Sequence, residues 1–415
     1  MLLTHISLTN FRNYTRLDVE LPGGPILFVG GNAQGKTSLL EAVYLLATFS
    51  SFHAAHDRQL INFFTAREPL AVARVVADFR WHENRNAAWE GNHNQAPLRT
   101  HRLEIRLIQE VNGIDQTPRF RKEVLMDGAK RKISEAIGAF NAVLFLPQMM
   151  NIIEGSPDDR RRYLNLMISQ VEPGYAGALT EYGRVLTQRN ALLKQLSEKG
   201  GDIRQLTYWD EKLAAYGARI VHSRIKAIQE VEKIAAGVHQ ELTRYGEVLR
   251  LSYLPAYDPL PRRNDQPMLK LDTPVDRSSI PVEKIETGFR ESLEKVRREE
   301  IARGVTTLGP HRDETRFLAN GIDLSNYGSR GQARTAVLSL KLAEVLWMRS
   351  KTDQWPVLLL DEVLAELDPA RRCDLLNRLS ESEQALLTTT DLDVFSKEFS
   401  KRATIWRIDS GRILA

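Results

Sequence analysis

The residues from Gly30 to Thr37 have the types and spacing of a phosphate-binding loop. Glycines let successive backbone N–H groups turn inward to a phosphate, and a helix that begins after the loop adds favourable potential for an anion. Lys36 is then expected to reach the β- and γ-phosphates of a nucleotide, and the Thr37 hydroxyl to ligate Mg²⁺. The alternative, a glycine turn with a surface lysine, is disfavoured by the strand pattern at Pro25–Val29 and the helical spacing over Ser38–Ala47. The predicted nucleotide-binding residues are Gly30, Gly31, Asn32, Ala33, Gln34, Gly35, Lys36 and Thr37.

A second set of candidate residues follows the apolar run Val357–Leu360. Such a run reads as a buried strand, and the carboxyl edge of a parallel sheet is where α/β proteins bind their ligands. Asp361 at that edge is placed to hold Mg²⁺ or its water, and Glu362 to polarise an attacking water. A strand leaving the core is the alternative, and the phosphate loop in the same chain favours the functional interpretation.

A third candidate segment contains Ser329, Gly331 and Gln332 and leads into a long helical pattern. Serine offers a hydroxyl, glycine permits close approach, and a helix N-terminus attracts an anion. The alternative is that Ser329 only caps the helix. Asp368, immediately before Pro369, is likewise readable as a helix N-cap.

Composition sets broad limits on the class of protein. The chain has 415 residues, 42% of them hydrophobic, which is enough for a large core or two domains. Its net charge of +4 permits a polyanionic partner without demanding one. The single cysteine, Cys373, fits a reducing compartment. Neither a signal peptide nor an apolar run long enough to cross a membrane is visible, so we expect a cytoplasmic protein with no membrane partner.

The order of predicted elements indicates an α/β fold with a parallel sheet. Strand patterns and helices occupy both ends of the chain, and an almost wholly helical block begins at Ser156, where a serine, a proline and two acids mark a helix start. We predict that residues 1–150 and 304–415 form one ATPase domain, with 151–303 inserted as a helical domain. Further expectations are a strand at Thr306–Leu308, a helix from Leu392, a hairpin turn at Asp127-Gly128 and a loop between Trp81 and Arg102.

In their order along the chain, these motifs resemble those of ATP-binding-cassette ATPases. The resemblance implies an ATPase head with an inserted helical lid, and makes Ser329, Gly331 and Gln332 a signature segment that meets the γ-phosphate of ATP held by another subunit. It gives Asp368 a contact with the partner subunit, and Gln148 a link between Mg²⁺ and the attacking water. Thr390 stands where the superfamily often has a γ-phosphate-sensing histidine, a departure that bears on the rate of hydrolysis.

Within that superfamily, the chain resembles the RecF family over nearly its whole length. The similar segments are Ile6–Tyr14, Leu39–Thr48, Gly155–Pro157 with the arginines that follow, Leu308–Asp313 and Thr335–Glu344. The resemblance places Arg12 near the nucleotide phosphates. Gln148 departs from it, because an acidic residue is usual there.

The RecF resemblance implies a protein that forms a homodimer when it binds ATP and Mg²⁺ and hydrolyses ATP slowly to reset the dimer. It implies binding to duplex DNA and to junctions between single and double strands, in recombinational repair and replication restart. RecO and RecR are the implied protein partners, in loading RecA. The basic cluster Arg160, Arg161 and Arg162 is a candidate DNA contact, with a solvated helix face as the alternative.

Three other classes of protein share parts of this pattern. A chromosome-structural or Rad50-type head needs long heptad arms, and the helical block is short for them. A transporter's nucleotide-binding subunit acts at a membrane and normally has the histidine that Thr390 replaces. An unrelated kinase has no need of the segment around Ser329.

Overall fold

The computed structural model describes residues 1–82, 98–111, 118–260 and 275–414. The strands are β1 (Leu2–Phe11), β2 (Tyr14–Glu20), β3 (Gly24–Val29), β4 (Leu70–His82), β5 (Leu98–Val111), β6 (Pro118–Met126), β7 (Ala129–Arg131), β8 (Ala142–Phe145), β9 (Leu249–Leu254), β10 (Glu314–Ala319), β11 (Ile322–Asp323), β12 (Val357–Asp361), β13 (Gln384–Thr389), β14 (Thr404–Asp409) and β15 (Arg412–Leu414). The α-helices are α1 (Lys36–Thr48), α2 (Ile133–Ala136), α3 (Asn151–Glu154), α4 (Pro157–Ser169), α5 (Tyr175–Lys199), α6 (Leu206–Leu242), α7 (Val282–Arg303), α8 (Leu324–Tyr327), α9 (Arg330–Thr352), α10 (Pro369–Leu379) and α11 (Lys397–Arg402).

Internal contacts divide the chain into two compact units. The first unit contains Met1–Gln148 and Met348–Ala415, and the second contains Met149–Trp347. This division describes where contacts are dense, so the domain boundaries at 150/151 and 303/304 stay predictions. Across the parts of the chain that the structure describes, none of the helices combines the length and apolarity that a membrane crossing requires.

The first unit contains a six-stranded sheet in the order β15-β14-β3-β13-β12-β8. Every neighbouring pair in it is parallel except β14 with β15, which is antiparallel. All five residues of β12 are buried, which is why this strand reads as a continuous apolar run that ends in an acid. The predicted α/β class with a parallel sheet is confirmed.

A second sheet of the first unit is antiparallel, in the order β2-β1-β4-β5-β6-β7. Asp127 and Gly128 both have positive φ, 50° and 81°, so the predicted hairpin turn between β6 and β7 is confirmed. The predicted loop between Trp81 and Arg102 is wrong at its end, because β5 begins at Leu98 and pairs with β4. Its central residues, 83–97, lie outside the described residues.

The second unit consists of helices α3 to α8, most of α9 and a three-stranded sheet in the order β11-β10-β9. Ser156 caps α4 as predicted: its Oγ accepts from the Asp159 N–H at 3.4 Å, and the Asp159 carboxylate accepts from the Ser156 N–H at 2.8 Å. The predicted strand at Thr306–Leu308 is wrong, because the Thr306 N–H donates to the Asn190 side chain at 2.8 Å and not to a strand. β9 was not predicted.

The helix predicted from Leu392 is shorter and begins later than expected. Leu392–Val394 forms a single 3₁₀ turn, and α11 starts only at Lys397. Asp391 accepts from the Asp393 N–H at 2.8 Å and Ser396 accepts from the Phe399 N–H at 3.2 Å, so each turn has its own capping side chain. Two capping residues close together thus divide what the apolar pattern indicated as one helix.

Candidate nucleotide-binding site

The site in the first unit is assembled by the register of parallel strands. Asp361 of β12 pairs with Thr388 of β13, and Thr388 pairs with Phe28 of β3, so these strands end at one edge. The phosphate loop begins at this edge, where β3 ends, and Glu362 follows the end of β12 at the same edge. Gln148 and Thr390 follow β8 and β13 at the same edge.

Two loop glycines are required by their surroundings. A Cβ on Gly30 would lie 2.3 Å from the carbonyl oxygen of Ile408 in β14. Gly35 has φ of 113°, and a Cβ there would lie 2.7 Å from the Asn13 side chain. Gly31 has room for a Cβ on the protein side, so the space around it is available for a ligand.

Lys36, the first residue of α1, is almost fully buried, with 4% of its surface exposed. Its Nζ donates to the carbonyl oxygens of Gly30 at 2.7 Å and Gly31 at 2.9 Å, and lies 3.3 Å from the Glu362 carboxylate. The ammonium group is therefore held at the loop by groups within this edge. A cation fixed there is suited to binding a phosphate group.

Thr37, Asp361 and Thr388 form a connected group of oxygens. The hydroxyls of Thr37 and Thr388 donate to the same Asp361 oxygen, at 2.9 and 2.7 Å. The Thr388 oxygen also accepts from the backbone N–H of Glu362 at 3.1 Å. Glu362 has a left-handed φ of 53°, which costs a non-glycine residue about 1 kcal/mol and is held by that hydrogen bond. The Glu362 side chain stays 42% exposed, so water can reach it.

The arrangement fits a bound Mg²⁺ ion. The Thr37 hydroxyl and the Asp361 carboxylate are hard oxygen ligands already within hydrogen-bond distance of each other. Among the described residues no cluster of three or more His, Cys, Asp or Glu side chains forms a metal site. Two protein oxygens match the preference of Mg²⁺ for keeping waters and binding substrate phosphates.

One turn and one strand residue, both distant in sequence, hold the phosphate loop by hydrogen bonds. The Ser410 and Gly411 N–H groups, in the turn between β14 and β15, donate to Gln34 at 2.6 and 2.9 Å. The Tyr14 hydroxyl donates to the Gly35 carbonyl at 3.0 Å, and burial raises the pKa of Tyr14, so it remains a donor. The loop is thus fixed on two sides by contacts with residues outside the motif.

Arg12 is brought to α1, where it makes a bidentate ion pair with Glu41. Its Nε and Nη2 donate to the carboxylate oxygens at 2.7 and 2.8 Å, and its Nη1 donates to the Gln59 carbonyl at 3.2 Å. The guanidinium is therefore already satisfied by protein groups. Its predicted contact with nucleotide phosphates stays a prediction and requires exchange of these partners.

Asp368 caps α10, as its position before a proline indicated. Its carboxylate accepts from the Arg371 N–H at 3.0 Å, which lowers the pKa of Asp368. The side chain is 46% exposed and so remains open to a further contact.

The candidate signature residues lie in the second unit, at the start of α9. The Ser329 Oγ accepts from the Gln332 N–H at 3.2 Å, and the Gln332 Oε1 accepts from the Ser329 N–H at 3.0 Å. Ser329 and Gly331 are exposed. The capping interpretation is therefore satisfied, and the hydroxyl proton of Ser329 remains available for a second acceptor.

The arginine cluster divides into residues with different surroundings. Arg160 is 9% exposed, forms a bidentate pair with Glu314 at 2.7 and 3.0 Å, and donates to the carbonyls of Ile153 and Gly155. Arg161 donates to the Asp313 carbonyl at 2.6 Å, and Arg162 is exposed. The buried Arg160 guanidinium stabilises the fold through these partners, and its predicted contact with a DNA phosphate stays a prediction that requires exchange of them.

Sequence reasoning did not identify Thr388 as a site residue. A signal was available in principle, because Thr388 lies one residue before the end of a strand that must neighbour β12 if the apolar runs are parallel. A threonine inside a strand is nevertheless ordinary, and only the register with Asp361 makes its role visible.

The chain matches known proteins over its full length. The RecF/RecN/SMC N terminal domain family matches residues 2–410. The DNA replication and repair protein RecF of Exiguobacterium sp. is 35% identical over 413 residues, covering 100% of this chain and 99% of the relative. That of Chloroflexus aurantiacus is 36% identical over 424 residues, covering 100% of both.

Solved structures give the same result. A structure described as the recombination mediator protein RecF-ATP in the RecFOR pathway has a TM-score of 0.79 and 30% identity, covering 100% of this chain and 98% of that one. An Smc head domain from Pyrococcus furiosus, with a TM-score of 0.51 and 17% identity over 100% of this chain and 96% of that one, shares the fold. The RecF resemblance and the predicted fold of an ATP-binding-cassette-type head are confirmed.

Proposed function

The chain belongs to the RecF family of DNA replication and repair proteins, and on that premise we propose that it is an ATP-dependent DNA-binding dimer. In this proposal it binds ATP with Mg²⁺ at the phosphate loop and dimerises through the bound nucleotide. The dimer then binds duplex DNA and junctions between single and double strands. Acting with RecO and RecR, it helps to load RecA in the cytoplasm.

The observation that supports this proposal most is the convergence of Lys36, Thr37, Asp361 and Glu362 at one sheet edge. Lys36 and the loop N–H groups are suited to hold the phosphates, and Thr37 with Asp361 to hold Mg²⁺. The metal would supply charge neutralisation at the phosphates. Glu362, exposed and adjacent to Lys36, is placed to orient and polarise a water.

The exposure and hydrogen bonding of the signature residues support the proposed dimerisation. Ser329 is exposed, and its Oγ already accepts from a backbone N–H, so its proton is the group it can offer to an anion. The γ-phosphate is the part of ATP that ADP lacks, and an exposed donor at a helix start is suited to recognise it on a second subunit. We therefore propose that Ser329, Gly331, Gln332 and Asp368 contact nucleotide or protein across a dimer interface.

Hydrolysis is proposed to be slow. Thr390 offers a hydroxyl where related heads often carry a histidine, and Gln148 offers a neutral amide where an acid is usual in the family. Both replacements keep hydrogen bonding and remove a charged or titratable group near the attacking water. Binding of ATP assembles the dimer and slow hydrolysis resets it.

The test compares nucleotide states by size-exclusion chromatography coupled to light scattering. The protein is measured with ATP or ADP and Mg²⁺, with and without a gapped DNA duplex. We expect a dimer with ATP and a monomer with ADP, and a Glu362→Gln variant that stays dimeric because it binds ATP without cleaving it. A Glu362→Gln variant that remains monomeric at saturating ATP would contradict the proposal.

A further inference from the structure

A chain of hydrogen bonds extends from the signature segment into the core of the second unit. The Gln332 Nε2 donates to the Oε1 of Glu247 at 2.9 Å, and the Oε2 of Glu247 lies 3.2 Å from the Nε2 of His239. The Nδ1 of His239 lies 3.0 Å from the Ser339 hydroxyl, which donates to the Thr335 carbonyl at 2.7 Å. His239 and Ser339 are fully buried. Glu247 thus connects an exposed turn to a fixed interior.

This series of hydrogen bonds determines which way the Gln332 amide faces. An ionised carboxylate only accepts hydrogen bonds, so the amide nitrogen of Gln332 must face Glu247. The amide oxygen then faces the Ser329 N–H, from which it accepts at 3.0 Å. Turned around, the same amide would place its oxygen against a carboxylate and its N–H₂ group against a backbone donor. Glu247 therefore selects the one orientation that closes the cap around Ser329.

Glu247 is itself held by an unusual turn. Arg244 and Tyr245, just after α6, have left-handed φ values of 52° and 61° without being glycines. The backbone N–H of Glu247 then donates to the Thr243 hydroxyl at 3.3 Å, and that hydroxyl donates to the His239 carbonyl at 2.8 Å. Strain of this kind persists where surrounding contacts fix it and frequently marks a functional position. The turn brings the carboxylate back onto the helix that carries His239.

We propose that Glu247 is a positioning residue for the signature segment: it fixes the Gln332 amide and thereby the direction in which Ser329 presents its hydroxyl proton. The effect on γ-phosphate binding rests on the proposed function, whereas the effect on the turn does not. Loss of Glu247 frees the amide to rotate and loosens the cap. Nucleotide binding at the phosphate loop, in the first unit, is unaffected.

The first experiment measures amide hydrogen exchange of the nucleotide-free protein. In Glu247→Ala, exchange in a peptide covering residues 328–333 should rise roughly tenfold, the effect expected when one charge-assisted hydrogen bond is lost. Glu247→Gln should restore protection, because its amide oxygen still accepts from Gln332 and its NH₂ can donate to His239. Glu286→Ala, an exposed glutamate of α7, is the matched control and should leave this peptide unchanged. Unchanged exchange in Glu247→Ala would overturn the positioning role.

The second experiment measures the ATP-induced dimer of the same variants. We expect at least a tenfold weaker dimer for Glu247→Ala, with the affinity for ADP within about twofold of the wild type, and wild-type behaviour for Glu247→Gln. A loosened turn with an unweakened dimer would overturn the link to Ser329. A wild type that fails to dimerise with ATP would reject the proposed function and this link together, and would leave the exchange result to decide the positioning role alone.

Discussion

The phosphate-loop edge and the signature segment are fixed by different means. At the edge, β3, β13 and β12 end in register, so Lys36, Thr37 and Asp361 gather because backbone ladders align the strands. At the signature segment, a short exposed turn is held by side-chain hydrogen bonds to Gln332 and Glu247. Where backbone hydrogen bonds between strands position a site, the backbone keeps its arrangement when one side chain is removed. Where a series of side-chain hydrogen bonds positions a site, each side chain in the series is needed.

The largest expected effect separates the two regions by nucleotide affinity. Lys36→Ala removes the buried cation of the loop and should lower ATP and ADP affinity by roughly 100-fold, about 3 kcal/mol. Ser329→Arg should leave the affinity of the monomer for ADP within about twofold. Titration calorimetry on both variants measures the nucleotide affinities. Comparable losses of ADP affinity in the two variants would contradict the assignment of nucleotide binding to the phosphate-loop edge alone.

The next effect concerns the pH dependence of the free energy of unfolding, through a histidine of the second unit. Burial lowers the pKa of His311 from 6.5 to about 4. The Nδ1 of His311 forms a hydrogen bond with the Tyr182 hydroxyl at 2.7 Å. The unfolded chain therefore binds a proton that the folded one excludes, so stability falls as pH drops from about 6.5 towards 4. Between pH 7.5 and pH 5 the cost is about 2 kcal/mol.

A His311→Gln variant lacks this titrating group and provides the comparison. Its free energy of unfolding, from denaturant titration at the two pH values, should fall less than that of the wild type by about that amount. Equal losses in the two proteins would exclude His311 as an acid-sensitive position.

An effect of similar size tests how the sheet edge holds Asp361 and Glu362. Thr388→Val keeps the shape of the side chain and leaves Asp361 and the Glu362 N–H without their shared partner, which should cost about 2 kcal/mol of stability and slow hydrolysis roughly tenfold. The neighbouring Thr389→Val is the control, because that hydroxyl donates only to the Asp391 carbonyl and accepts the Asp391 N–H. Its hydrolysis rate should stay close to wild type. Equal rates in the two variants would remove Thr388 from the site.

The smallest effect distinguishes two arginines of one cluster by the salt dependence of DNA affinity. If Arg162 contacts a phosphate, Arg162→Gln should reduce the slope of log affinity against log salt by about 0.9. Arg160→Gln should instead lower the free energy of unfolding, because it leaves Glu314 and two carbonyls without their partner. A changed slope for Arg160→Gln with unchanged stability would reverse these assignments.

What the sequence could predict follows the same division. The glycines of the loop, the apolar run before Asp361 and the serine before α4 are local patterns, and each predicted its element correctly. Thr388 and Glu247 act through partners distant in sequence: Gln332 is 85 residues from Glu247. Arg160 lies in a run of three arginines that indicates a DNA contact, and its burial and its ion pair with Glu314 could not be predicted from that run. Local motifs can be predicted from the sequence, whereas tertiary partners cannot, because they depend on strand register and packing.

The central claim is that each ATP site of the dimer combines the phosphate loop of one chain with the signature segment of the other. Lys36→Ala and Ser329→Arg should each abolish hydrolysis in a pure dimer. When the variants are mixed, half of randomly formed dimers carry one intact and one doubly defective site, so roughly a quarter of wild-type activity should return. ATP-induced heterodimers are quantified in the same mixture. Recovery near that level is the predicted result, and an inactive mixture that still forms wild-type amounts of heterodimer would contradict the independent shared site.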